Sequence, residues 1–261
     1  MLFAHMDYRS LQRITRAPGF FWVPPEQIQG DRLTLTGDEA HHASAVCRLA
    51  AGEMITVCDG AGNAYDCEIV SSTPREVSAQ IVRSHRRLGE PTTQATLAVG
   101  IGKPSSFDWI VEKAVELGAA RIIPMQVEES PEAMGAPESS RRRVERWRRL
   151  ALGAMKQSLR SVWPAIEDVQ SLASVIATFS DYQSRWLIDP EGVRIPAGQA
   201  KTDHGKHVLV LVGPEAGFTP AERTAMTEAG ASTYSLGDRR MRAETAAITA
   251  LTLIMHHLGE I

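Results

Sequence analysis

The chain has 261 residues, 43% hydrophobic and 23% charged, with a formal net charge of −3. That balance excludes a disordered or fibrous protein and allows one large or two modest domains. No apolar run approaches a membrane span and the first residues lack a signal-peptide core, so a cytoplasmic protein is expected.

Residues 1–19 show no hydrophobic period and read as an N-terminal arm or an over-long start, with Met6 as an alternative initiator. From Phe20 to about Ser84 the signals are β. Leu33-Thr-Leu-Thr36 alternates, Ile55–Cys58 and Tyr65–Val70 flank the turn Asp59-Gly-Ala-Gly-Asn63 as a hairpin, and Val77–Val82 adds a strand. Short strands at this spacing predict a small β-barrel. One helix starting at Gly37 interrupts it and carries His41, His42 and Arg48. The histidines have no third ligand at metal spacing, so no metal is expected. Cys47, Cys58 and Cys67 lack CxxC spacing and read as free thiols. The polar stretch His85-Arg-Arg-Leu-Gly-Glu-Pro91 predicts a boundary between domains at 20–88 and 89–261.

From Ala95 strands alternate with helices, the pattern of an α/β fold. Leu97–Ile101, Arg121–Met125 and Arg185–Asp189 read as strands. Phe107, Ile110, Val111, Ala114 and Val115 fall at helical spacing up to the stop at Gly118. Lys103, just after the first of these strands, reads either as an RNA contact or as a loop cap. Arg141 to Arg160 hold eight Lys or Arg against a single acid, Glu145, so the rest of the chain carries about −10. Such asymmetry predicts a localised polyanion footprint, with a solvated helix face as the plain alternative. Val144, Trp147, Ala151, either Ala154 or Met155, and Ser158 give that helix an inner face. Residues 190–206 read as loop.

His207–Val212 is continuously apolar, as a central strand buried on both faces would be. It breaks at Gly213-Pro-Glu-Ala-Gly-Phe218, and Thr219-Pro-Ala-Glu222 is a capping box that starts a helix. A strand at Ser232–Leu236 breaks at Gly237, and Ala247, Ile248, Leu251, Ile254, Met255 and Leu258 mark a last helix. A strand ending in a glycine loop that feeds a helix leaves backbone N–H groups facing one point, which suits a small ligand carrying a carboxylate, a phosphate or hydroxyls. No Lys-Ser/Thr pair follows Gly217 and no G-x-G-x-x-G follows an early strand, which argues against phosphate-loop hydrolases and dinucleotide folds.

Gly213-Pro-Glu-Ala-Gly-Phe218 and Leu236-Gly-Asp-Arg-Arg-Met-Arg-Ala-Glu-Thr-Ala246 resemble the two signature loops of the E-class 16S rRNA uridine-N3 methyltransferases of the SPOUT superfamily. Glu112-Lys-Ala-Val-Glu-Leu-Gly118, Gln157-Ser-Leu-Arg160, Ala40-His-His42 and Val46-Cys-Arg-Leu49 extend the resemblance over most of the chain from about Phe20. Where the family usually has a double glycine this chain has Ala216-Gly217, and Met241 replaces a usual leucine. The resemblance implies an α/β, trefoil-knotted C-terminal domain that binds S-adenosyl-L-methionine, an N-terminal PUA-like RNA-binding domain, a homodimer, and 16S rRNA within the small ribosomal subunit as substrate. It implies a cofactor site at Leu187, Ile188, Gly213, Pro214, Glu215, Gly217, Leu236, Gly237, Met241, Arg242, Glu244, Thr245 and Ala246. Arg242 is the expected catalytic residue, and its alternative role is to lock the loop by pairing with Glu244. Expected RNA contacts are Arg16, standing in for an arginine the family carries before its aromatic pair, with Arg48, Lys103, Arg142, Arg149 and Arg160. Two other classes stay open: a related enzyme acting on ribose O2′ or another base, and a non-catalytic RNA-binding adaptor.

Overall fold

The computed structural model describes residues 20–130, 137–195 and 207–261. Residues 1–19, and with them Arg16, lie outside the described residues. The described residues form two compact units, one within 20–90 and 155–163, the other within 91–154 and 164–261.

Among the described residues the first unit is built on six strands: Phe21–Trp22 (β1), Ile28–Gln29 (β2), Arg32–Thr36 (β3), Met54–Cys58 (β4), Asn63–Ser72 (β5) and Glu76–Arg86 (β6), in the spatial order β1-β4-β5-β6-β3-β2. Every pairing is antiparallel except β1 with β4. Alternate side chains of these strands, among them Leu33, Leu35, Ile55, Val57, Ile69 and Val77, form one apolar core. The expected hairpin pairs Val57 with Tyr65 and Cys58 with Ala64. Gly37–His41 (α1) starts the expected helix, which continues as a π turn over His42–Val46. The cysteines are free thiols, as expected, and burial pushes those of Cys58 and Cys67 up to about 12.

Met155–Trp163 groups with this unit because its polar backbone finds partners there. Phe20 N–H donates to Lys156 O, Ser161 N–H to Leu88 O and Trp163 N–H to Gly60 O. Glu90 holds the same segment through its carboxylate, which accepts from Ser161 and Val162 N–H at 2.9 Å each and from Arg160 Nη2 at 2.8 Å.

Among the described residues the second unit is a seven-stranded parallel sheet: Gln94–Gly100 (β7), Arg121–Gln126 (β8), Ala165–Ile166 (β9), Gln170–Ser171 (β10), Ser184–Arg194 (β11), His207–Val212 (β12) and Ser232–Ser235 (β13). The order is β10-β8-β7-β12-β11-β13, with β9 also on β8. β12 is central and buried past its first residue, as its unbroken apolar run predicts. The helices are Pro104–Glu116 (α2), Pro137–Gln157 (α3), Leu172–Ala177 (α4), Pro220–Glu228 (α5) and Ala243–His257 (α6). The capping box at α5 is complete, with the Thr219 hydroxyl and the Glu222 carboxylate each taking the other's backbone N–H. On α3, Val144, Trp147 and Ala151 are buried, and Trp147 packs on Phe107 of α2 with ring centroids 4.2 Å apart.

One expectation is overturned here. Pro190 to Arg194 are not loop: β11 continues through them, with a break in register. Both Ile188 and Val193 stand opposite Tyr234 of β13, so Asp189–Gly192 are extruded from the ladder. A proline has no N–H to give a ladder, and in an extruded segment none is asked of it. The remaining expected loop, 196–206, lies outside the described residues.

Candidate functional site

Strand order reverses between β7 and β12: the chain runs from β7 outward to β8 on one side, and β12 is followed on the other by β11 and β13. In parallel α/β sheets a crevice opens beyond the carboxyl ends of the strands at such a point. A cavity of about 700 Å³ opens beyond the carboxyl ends of β12, β11 and β13, to one side of that point. Ile188 of β11, Val212 of β12 and Ser235 of β13 reach it from the strand ends, and Gly213–Phe218 and Leu236–Met241 line it from the two glycine loops.

The glycines shape these loops in two ways. At Gly213 a Cβ would stand 2.9 Å from the backbone carbon of Gly217, so the first loop closes on itself only without a side chain there. Gly217 has open space around it but a φ of +85°, which L side chains rarely adopt. Gly217→Val is therefore expected to lose stability and ligand binding through backbone strain, whereas Ala216→Gly should leave both near the parent level. Melting curves with and without ligand check this.

The second loop is held at both ends. Arg194 Nη2 donates to Asp238 Oδ2 at 2.9 Å, Arg240 Nη2 reaches Glu215 O on the facing loop at 3.4 Å, and Ser235 Oγ accepts from Gly237 N–H at 3.1 Å. Helix α6 begins at the cavity, with Ala243 and Ala246 in its wall. Its N-cap residue, Arg242, makes no side-chain cap, so the first amides of the helix stay open to a ligand's electron-rich groups.

Of the expected cofactor residues, Ile188, Gly213, Pro214, Glu215, Gly217, Leu236, Gly237, Met241 and Ala246 line the cavity together. Leu187, Arg242, Glu244 and Thr245 do not. Leu187 is fully buried in the apolar cluster beneath, because successive residues of a strand face opposite ways, so its expected contact is corrected to a supporting one. The Arg242 side chain is 85% exposed, and its Nη1 stands 4.0 Å from Glu244 Oε1, too far for a hydrogen bond. Among the residues the sequence did not single out, Glu191, Arg223, Asp238, Arg239 and Arg240 also line the cavity. Only the charge density of the second loop hinted at the last three.

The expected RNA contacts separate. Arg48 is exposed at a φ of +55°, just after the π turn. Lys103 is exposed as the N-cap residue of α2 and caps nothing with its side chain, although its N–H donates to Glu215 Oε1 at 3.4 Å. Arg142 is exposed and pairs with Glu138 one turn away at 2.6 Å, and Arg149 is exposed with no partner among the described residues. Arg160 is a correction: its side chain and that of Glu90 are each 3% exposed and form an ion pair, which leaves the guanidinium no surface for a phosphate.

The sequence matches the RNA methyltransferase domain family over residues 89–255 and the RNA methyltransferase PUA domain family over residues 35–82. It is 30% identical to the ribosomal RNA small subunit methyltransferase E of Bacillus subtilis, over 91% of this chain and 95% of that protein. The chain belongs to this methyltransferase E family. The solved structures of similar shape agree. A Legionella pneumophila protein in complex with the cofactor SAM superposes with a TM-score of 0.77 at 25% identity, covering 90% of this chain and 96% of that one. The Neisseria gonorrhoeae methyltransferase E bound to S-adenosyl methionine has the same fold, with a TM-score of 0.80 at 23% identity and 91% and 96% coverage. Family membership makes the chain an RNA methyltransferase with a PUA domain. No helix among the described residues is long and apolar enough to cross a membrane.

Proposed function

We propose that the chain transfers the methyl group of S-adenosylmethionine to N3 of a uridine in 16S rRNA of the small ribosomal subunit, in the cytoplasm and as a homodimer. The observation that carries the reading is that the two glycine loops, held in a member of this family, close on one cavity of about 700 Å³. The cavity fits the cofactor's chemistry. The close approach at Gly213 presents bare backbone, the floor at Ile188, Val212 and Met241 is apolar, and the open start of α6 suits a carboxylate.

When bound, S-adenosylmethionine supplies a methyl group already activated by a sulfonium. The protein's part is then alignment and charge. Backbone groups around Gly213, Leu236, Gly237 and Met241 hold the adenosine portion. As uridine N3 gives up its proton to solvent water, negative charge spreads onto O2 and O4. Arg242 cannot take the proton, since arginine stays protonated near neutral pH. Its exposed guanidinium at the head of α6 instead donates hydrogen bonds to the developing oxyanion. Glu244 Oε1, at 4.0 Å, makes no hydrogen bond to it, which leaves the guanidinium's donors for the oxyanion.

Two experiments test the reading. S-adenosylhomocysteine should raise the melting temperature progressively, by the equivalent of about 2.7 kcal/mol at a hundred times its Kd. No shift at millimolar ligand contradicts the cofactor assignment. For the RNA, Arg149→Glu should weaken binding and reduce the slope of log K against log salt by roughly one, with cofactor binding unchanged. Arg142→Glu should do less, because Glu138 already takes part of the Arg142 charge. Equal slopes for Arg149→Glu and parent contradict a phosphate contact there.

A further inference from the structure

We propose that Asp189 reads a hydrogen-bond donor of the bound cofactor, either the ribose hydroxyls or the α-ammonium group. This rests on the reading that the cavity takes S-adenosylmethionine. Three observations converge on the residue.

The first is the break in β11. Ile188 and Val193 share Tyr234 as their partner, so Asp189–Gly192 leave the ladder, and Asp189, Pro190 and Glu191 line the cavity wall. The extrusion depends on Gly192, where a Cβ would stand 2.5 Å from Tyr234 N. Bulges of this kind re-aim side chains next to sites.

The second is burial. Asp189 is 5% exposed, whereas the other acids in the wall, Glu191, Glu215 and Asp238, are exposed. A carboxylate is withdrawn from water at a cost unless its oxygens are engaged.

The third is incomplete engagement. Oδ1 accepts the Glu191 N–H at 3.0 Å. Among the described residues Oδ2 faces only the Arg223 guanidinium, with Nη1 at 3.6 Å, beyond hydrogen-bond reach. That same Nη1 is already committed to Phe218 O at 3.1 Å, and Arg223 Nη2 stands 3.6 Å from Glu191 Oε1. A carboxylate that is only 5% exposed is thus left with spare acceptor capacity at the end of a parallel strand, beside the cavity. In dinucleotide folds an acid near a ligand crevice accepts from a ribose hydroxyl.

The test is calorimetric binding of S-adenosylhomocysteine and of 5′-methylthioadenosine, which keeps the ribose and lacks the amino-acid portion. The chains compared are the parent, Asp189→Asn and Arg223→Gln, each checked for its melting temperature. Asp189→Asn should weaken S-adenosylhomocysteine by about tenfold or more, the range for a hydrogen bond to a charged group. Arg223→Gln, which removes the neighbouring cation of the cavity wall and keeps the Asp189 carboxylate, should weaken it clearly less than Asp189→Asn does. An equal loss for both ligands supports the inference and assigns the ribose; a loss confined to S-adenosylhomocysteine supports it and assigns the ammonium. If Asp189→Asn does not fold, Asp189→Glu, which keeps the charge and displaces it, should show the same loss. Parent-level binding by the Asp189 variants overturns the inference while the cofactor reading stands. A loss in Arg223→Gln equal to that in Asp189→Asn also overturns it, because Asp189 then acts only by anchoring Arg223. Failure of the parent chain to bind S-adenosylhomocysteine overturns the cofactor reading and the inference with it.

Discussion

Arg242→Ala is expected to bind cofactor nearly as well as the parent chain and to methylate uridine N3 about a hundred- to a thousandfold more slowly, the usual loss for one donor to a developing oxyanion. The geometry separates the two effects. The guanidinium lies outside the cavity lining, so the ground-state cofactor does not depend on it. Charge on the uracil oxygens appears only in the transition state, and an interaction confined to that state moves the rate rather than the affinity. Arg242→Lys should recover little, since an ammonium lacks the planar fork. Calorimetric cofactor binding and 3-methyluridine formation on one preparation decide the matter. Loss of cofactor binding by Arg242→Ala would make the arginine a loop element, and a near-parental rate would remove it from catalysis.

Arg160→Ala is expected to destabilise the first unit by about 3–5 kcal/mol, because it strands the Glu90 carboxylate without its cation. For a unit of this size the melting temperature should fall by on the order of ten degrees or more. Glu90→Gln in the same chain should recover part of that loss by removing the orphaned charge. The recovery is partial because the carboxylate also takes the Ser161 and Val162 N–H groups. A stable Arg160→Ala variant with impaired RNA binding would return Arg160 to the RNA surface. Urea melts of the three variants beside RNA binding by the same samples distinguish the outcomes.

The fate of Arg160 shows what the sequence could not supply. Local runs were legible: the apolar stretch at His207–Val212, the Thr219 capping box and the glycines of both loops each state their structure within a few residues. The basic stretch was legible as charge but not as free charge. Asp108 accepts from Arg146 at 2.7 Å, Asp168 from Arg148 at 3.0 Å, Glu39 takes Lys156 and Glu90 takes Arg160. Those acids are distant in sequence, so the local excess of cations is an upper bound on what an RNA meets. Asp189 was legible only as the end of a strand for a related reason. The resemblance implied the neighbouring Leu187 and Ile188 as site residues, whereas the bulge that sets Asp189 against the cavity depends on Gly192 meeting the Tyr234 backbone. Register is a property of two strands, and no single run encodes it.

The central claim is the site of methylation, and mass spectrometry of nucleosides tests it most directly. Small ribosomal subunits from a strain lacking this gene are incubated with the purified protein and S-adenosylmethionine, and their 16S rRNA is digested and analysed. The account predicts 3-methyluridine absent before incubation and present after it. Methylation appearing on a ribose O2′ or on another base, with 3-methyluridine unchanged, would contradict it.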